Sequence, residues 1–301
     1  MADARAPEMP SPRVNATGAG EGPLAMIVGG GAIPIAVAEA VMLRGRRVVM
    51  FPVRGWADPA AVERFPHHWI NVVQAGRFRR LVRAEGCRDV VFIGSAMRMP
   101  IRSFRLDWLT IRLLPRIISS YYGGDDRLLT GIADIFEEHG FHIVGAHEVA
   151  PEILMPQGPV GAIAPAERDR ADIAQGLALL RAIGPYDVGQ AAIVANNHVL
   201  AVEAAEGTDA MLDRVAELRA RGRIATGSGI GVLVKAPKPG QDRRFDLPAI
   251  GPRTVEAAAR AGLAGIAVVA GSTIIAEPAE VARVADAAGL FVCGIDERPP
   301  Q

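Results

Sequence analysis

Residues Leu24 to Phe51 read L-A-M-I-V-G-G-G-A-I-P-I-A-V-A-E-A-V-M-L-R-G-R-R-V-V-M-F. An apolar run, a glycine turn, a helical stretch from about Pro34 to Gly45 and a second apolar run form a βαβ opening, which calls for a parallel sheet. Gly29, Gly30 and Gly31 let backbone amides approach a ligand closely. The helix beginning near Pro34 turns its positive end toward the same place. On this reading Gly30, Gly31 and Ala32 face an anionic group. A dinucleotide fingerprint would place a third glycine where Pro34 stands and an acid at the end of the second strand. That strand instead runs out through Phe51-Pro52-Val53-Arg54, with Asp58 the first carboxylate, so NAD is disfavoured.

The alternation continues outward from this unit. Trp69 to Val73 reads as extended, Gly76 to Glu85 as helical, and Asp89 to Ile93 as a buried strand ending at Gly94-Ser95. Ligands of open α/β sheets lie beyond the carboxyl ends of strands, which adds Ser95 to the crevice. Met97 to Ile118 interleaves apolar residues with five arginines. It reads as an ordinary amphipathic core helix, or as a segment that holds acyl chains or lies on an anionic membrane surface. Gly123-Gly124-Asp125-Asp126 opens a helix to His139; the aspartates there cap it or contribute to a metal site. Phe141 to Ala146 reads as the next strand, with His147-Glu148 at its end.

Residues 151–165 carry four prolines between periodic segments. The expected organisation is a disordered tail at 1–22, a Rossmann-like domain at 23–150, a linker at 151–166 and a second α/β domain at 167–301. In that second domain a helix from about Arg168 to Ala182 leads to Gly189-Gln190 and two strands joined at Asn196-Asn197, a hairpin signal. In the stretch Ala201 to Leu212, Thr208 reads as the N-cap of a helix whose free amides receive a phosphate oxygen, while Glu206 and Asp209 face a cation. A capped helix with flanking acids accounts for the same residues.

The apolar run Gly231 to Val234 opens into K-A-P-K-P-G-Q-D-R-R-F-D-L-P-A-I-G, Lys235 to Gly251. Lys235, Lys238, Arg243 and Arg244 offer cations for a polyanion, and Asp242 and Asp246 offer carboxylates for a metal ion. This pairing suits phosphate chemistry, although a solvated surface loop has the same composition.

Composition narrows the function class. Thirty-three basic residues balance thirty-three acidic ones in 301, so no global field exists to hold nucleic acid. The chain is 50% hydrophobic and 5% aromatic, as expected for an aliphatic globular core. Two distant cysteines, Cys87 and Cys293, suit a reducing cytoplasm and inert core positions. Ala261 to Ala276, broken by three glycines, falls short of the ~20 apolar residues of a spanning helix.

Several segments together are similar to the LpxI-type UDP-2,3-diacylglucosamine pyrophosphatase family of lipid A biosynthesis. They are I-V-G-G-G-A-I-P (27–34), G-D-D (124–126), G-A-H-E-V (145–149), D-V-G-Q (187–190), V-L-A-V-E-A-A-E-G-T-D-A-M-L (199–212), and K-A-P-K-P followed by D-L-P-A-I-G. The resemblance spans about 24–296. It implies a cytoplasmic, Mg²⁺-dependent hydrolase, peripheral to the inner membrane, that splits UDP-2,3-diacylglucosamine into UMP and 2,3-diacylglucosamine 1-phosphate by attack on the sugar-side phosphorus. It also implies a Rossmann-like amino-terminal domain, a distinct α/β carboxyl-terminal domain and a substrate cleft between them. A homodimer and transient membrane contact are further expectations. The candidate site comprises Asp246 and Lys235 as catalytic residues, with Asp246 also as metal ligand. Gly30, Gly31, Ala32, Ser95, His147, Gln190, Thr208 and Asp209 are the substrate-binding candidates. Divergence at Gly94 to Met97 and the unmatched first 22 residues leave that chemistry untouched. A nucleotide-sugar oxidoreductase and a non-catalytic nucleotide-sugar sensor are the competing readings; NADH binding would favour the first, and turnover excludes the second.

Overall fold

The computed structural model describes residues 22–71, 74–95, 107–113 and 125–297. The expectations for residues 1–21, most of Met97 to Ile118, and Gly123-Gly124 lie outside the described residues.

The first sheet contains β1 (Leu24–Val28), β2 (Val48–Pro52), β3 (Asp89–Ile93) and β4 (His142–Ile143). Their order is β2-β1-β3-β4, with every pair parallel. A parallel sheet is covered on both faces, which is why its strands are apolar without alternation. Leu24 and Met26 pack with Val37 and Val41 of α1 (Ile33–Leu43). Ala25, Val49 and Phe51 pack on the opposite side with Phe78 and Val82 of α3 (Ala75–Ala84) and Ala133 of α5 (Asp125–Glu138). Short helices α2 (Pro59–Val62) and α4 (residues 108–113) lie in the connections. The strand expected near Trp69 to Val73 is replaced by isolated parallel bridges of His67 and Ile70 with Met50 and Val53, residues 72–73 lying outside the described set. Pro52 and Pro66 lack the amides that a continuous ladder needs.

The second sheet has the order β5-β12-β10-β8-β6-β7. Its strands are β5 (Gly158–Pro159), β6 (Ala191–Ala195), β7 (His198–Val202), β8 (Val232–Lys235), β10 (Gly265–Val269) and β12 (Phe291–Ile295). β8, β10 and β12 are parallel, whereas β5 and β6 run antiparallel to their neighbours. β6 and β7 form the expected hairpin. Asn196 and Asn197 adopt φ of 51° and 57°, as a two-residue primed turn requires. The buried Asp172 carboxylate receives both of their amides, at 3.1 and 2.7 Å. Helix α7 (Glu167–Ile183) covers one face, approaching so closely that a Cβ on Gly176 would lie 2.7 Å from a Val234 methyl. Helices α8 (Gly207–Ala220), α9 (Pro252–Arg260) and α10 (Pro278–Ala288) cover the other.

The expected linker is shared out between the lobes. Ile153 joins the first core and Met155 the second, and Gly158–Pro159 pairs with the edge of β12. Burial pushes the Cys87 thiol up to about 11 and the Cys293 thiol up to about 12, so both stay protonated in the core. Among the described residues no helix is long and apolar enough to cross a membrane.

Candidate active site

The glycine turn after β1 and the end of β3 are bonded to each other. Gly30 N donates to Ser95 O and Ser95 N to Gly30 O, both at 2.9 Å. Such an approach excludes side chains: a Cβ on Gly29 would lie 2.4 Å from Ser95 O. Gly94, at φ +102°, would place a Cβ 2.8 Å from Gly30 O. Gly31, at φ +96°, faces open space. α1 starts at Ile33 with no side-chain cap, so its first amides remain for a ligand.

The loop after β8 closes over this turn. Phe245 packs on Phe92 with ring centroids 5.3 Å apart, and Leu247, Ala249 and Ile274 pack against the core of the first lobe. Ala249–Ile250 (β9) and Ile274–Ile275 (β11) form a two-stranded parallel pair that fixes the far end of the loop. Between the lobes lies a cavity of about 320 Å³, lined by Gly30, Gly31, Ala32 and Ile33, by Phe92 to Ser95, by Ala146, by Arg243 to Leu247, and by Ala249 and Ile274. The structure thus brings Gly30, Gly31, Ala32 and Ser95 together with Asp246.

Asp246 is the carboxylate of that lining. Its Oδ2 accepts from the Gln190 side-chain amide at 2.9 Å and from the Gln241 amide. The loop's four cations have separate fates. Arg244 is clamped by Asp242, with Nη2 to Oδ2 at 2.8 Å, and by Glu137 across the interface at 3.0 Å. Hydrogen bonding to Asp242, then to Glu137, raises its guanidinium above the ordinary arginine range. Lys238 pairs with Asp187. Arg243 lines the cavity and donates to Gly271 O at 2.5 Å. Lys235 is only 7% exposed and is not among the lining residues. Its ammonium donates to Thr208 Oγ1 at 3.0 Å and Ala249 O at 3.1 Å.

Thr208 is not an N-cap. α8 begins one residue earlier, at Gly207, and the Thr208 hydroxyl donates to Glu203 Oε1 at 2.7 Å. Glu206 and Asp209 do face cations, but these are Arg214 at 3.0 Å and Arg253 at 3.6 Å on the surface. His147 sits in the helical turn α6 (Ala146–Val149) rather than at a strand end, since β4 is only two residues long. Its ring folds over Gly145, where a Cβ would lie 2.4 Å away. Burial first, then the Arg243 charge, hold its imidazole below the ordinary 6.5. Its Nδ1 is buried with no hydrogen-bond partner among the described residues. Gln241 and Glu203 were not singled out by spacing, and Arg243 was read only as one of four loop cations for a polyanion, because their separate roles depend on contacts between distant segments.

The depressed His147 pKa has a definite pH signature. The folded protein keeps this group neutral where the unfolded chain takes up a proton, so its stabilising contribution is full above pH 6.5 and is lost as the pH falls toward the folded value. Urea unfolding of His147→Gln should show a shallower loss of stability than the parent as the pH falls below 6.5. Identical slopes would mean that another group governs this range.

These features define a two-domain α/β protein with a cavity between its domains, lined by a glycine turn, Arg243 and Asp246. The chain belongs to the LpxI family: residues 23–153 match the LpxI N-terminal domain and residues 156–293 the LpxI C-terminal domain. A relative from Caulobacter vibrioides, the UDP-2,3-diacylglucosamine pyrophosphatase LpxI, is 44% identical over 278 residues, covering 92% of this chain and 99% of that protein.

Proposed function

We propose that this chain is a hydrolase that cleaves the pyrophosphate bridge of UDP-2,3-diacylglucosamine, releasing UMP and 2,3-diacylglucosamine 1-phosphate for lipid A biosynthesis. The observation that carries this reading is the cavity in which a glycine turn, a helix start, Arg243 and Asp246 meet, in a chain so similar to a pyrophosphatase of that name. The amides of Gly31 to Ile33 and the Arg243 guanidinium hold phosphate oxygens, since both present donors to a dianion and neither needs to reorganise as charge develops. Asp246 orients the attacking water and accepts its proton, its own carboxylate steadied by the Gln190 and Gln241 amides. The water oxygen bonds to the sugar-side phosphorus, the bridging P–O bond breaks, and UMP departs.

The donor set suits Mg²⁺ carried in with the substrate. Among the described residues no cluster of three or more His, Cys, Asp or Glu can hold a metal ion. Mg²⁺, however, usually keeps several waters and binds through one or two carboxylates plus phosphates, so Asp246 would hold it. When bound, the ion neutralises pyrophosphate charge. The acyl chains place the reaction at the cytoplasmic face of the inner membrane; the 320 Å³ cavity holds the polar bridge but not two acyl chains as well.

The purified protein, incubated with the diacylated UDP-sugar and Mg²⁺ in H₂¹⁸O, should yield UMP without label and 2,3-diacylglucosamine 1-phosphate carrying one ¹⁸O by mass spectrometry. Excess EDTA should stop turnover. Absence of both products refutes the activity, label in UMP refutes the site of attack, and undiminished rates in EDTA refute the metal.

A further inference from the structure

We infer that Lys235 is a positioning residue: buried itself, it forms with the half-buried Thr208, Glu203 and Gln190 a polar strut that fixes the Asp246 carboxylate and its loop, and it does not touch phosphate. This inference rests on the reading of Asp246 as the reacting carboxylate and deepens it.

The strut is continuous. Lys235 Nζ donates to Thr208 Oγ1 at 3.0 Å, Thr208 Oγ1 donates to Glu203 Oε1 at 2.7 Å, and Glu203 Oε2 accepts the Gln190 backbone amide at 3.0 Å. The Gln190 side chain then donates to Asp246 Oδ2 at 2.9 Å. The direction of each bond is set by chemistry, since an ammonium only donates and a carboxylate only accepts. The Thr208 hydroxyl can do both, so it links a buried cation to a carboxylate through its one proton. Burial lowers the Lys235 pKa, and the charges of Glu203, Asp209 and Asp246 oppose that shift.

The same residues pin the catalytic loop at three points. Its start is held by Ala236 N to Gln190 O at 3.0 Å, its middle at Asp246, and its end by Lys235 Nζ to Ala249 O at 3.1 Å. Glu203 is set at the right height by a contact that only glycine permits, a Cβ on Gly189 falling 2.2 Å from Glu203 O. A lysine meant for substrate would present its ammonium to the cavity; this one points into the second lobe, with both identified partners belonging to the protein. The segments joined are β8, the first turn of α8, the end of β7, the residue before β6 and the loop. A part-buried polar network of this kind holds geometry only while every member is satisfied.

Thr208→Val removes the hydroxyl at nearly constant volume. Supporting residues of this kind typically matter by about 10–100-fold in activity, so kcat should fall in that range with KM little changed. Thr208→Ser should recover most of the loss. Independently of any substrate, hydrogen–deuterium exchange of residues 236–249 should accelerate in Thr208→Val and in Glu203→Gln relative to the parent, and not in Thr208→Ser. Unchanged exchange in both variants overturns the strut. A loss confined to KM assigns the group to substrate binding and overturns it equally. A parent protein that exchanges as expected but shows no turnover would remove the pyrophosphatase reading and leave the strut standing as a loop anchor.

Discussion

Asp246→Ala should lower turnover of UDP-2,3-diacylglucosamine by roughly 10³-fold, the scale of a lost proton-transfer or charge-stabilising group. Substrate affinity should change little, because the proposed phosphate donors are the backbone amides of 31–33 and Arg243 of the cavity lining rather than the acid. The fold should survive. Asp246 and Gln190 are half-buried, but Gln241 is buried and its released amide loses a partner, so the cost should be about 1–3 kcal/mol. Asp246→Asn sharpens the comparison, since its carbonyl can still accept from both amides while the negative charge is gone. Turnover near the parent level in either variant would remove Asp246 from the chemistry. Loss of activity together with a large loss of stability would make its role structural.

Gly94→Ala should be strongly disruptive in the first lobe. The position combines φ of +102° with a Cβ that would sit 2.8 Å from Gly30 O, 2.9 Å from Gly29 C and 2.9 Å from Pro34 Cγ. Backbone strain and overpacking add, and the expected destabilisation is roughly 3 kcal/mol. Because the clash falls on the Gly30–Ser95 pairing, relief pushes apart the two turns that form the cavity wall, and turnover should fall further than the folded fraction does. Gly45→Ala is the control. Its φ of +83° is also left-handed, but no atom lies within 4 Å, so only backbone strain of about 1–2 kcal/mol remains, without effect on kcat. Equal effects at the two positions in urea titrations would show that Gly94 is needed for its dihedral alone.

Strands β1 and β3 of the amino-terminal sheet were legible because their apolar runs end at Gly29 and Gly94, and buried parallel strands leave that signal. The hairpin at Asn196-Asn197 was legible for a different reason: two left-handed residues in succession leave few choices of residue. What sequence could not supply was pairing between distant segments. Four cations in the 235–244 loop read alike, yet one is buried against Thr208, one is paired with Asp187, one is clamped by Asp242 and Glu137, and Arg243 lines the cavity. The Thr208 N-cap reading was defeated in the same way. Its hydroxyl is taken by Glu203 and Lys235, respectively five residues before and 27 residues after it, and α8 begins at Gly207 instead. Pro52 and Pro66 acted locally, but the run at 69–73 gave no sign that its neighbour strand lacked an amide. The juxtaposition of Asp246 with the glycine turn was expected from family likeness, and here it has a physical cause: Phe245, Leu247, Ala249 and Ile274 bury themselves on the first lobe and carry the acid with them.

The most direct test of this account is a crystal structure of Asp246→Ala with UDP-2,3-diacylglucosamine bound. The account predicts the two phosphates between the amides of residues 31–33 and the side chain of Arg243, with the vacated carboxylate position facing the sugar-side phosphorus. Phosphates seated elsewhere on the molecule, with this cavity filled only by solvent, would contradict it.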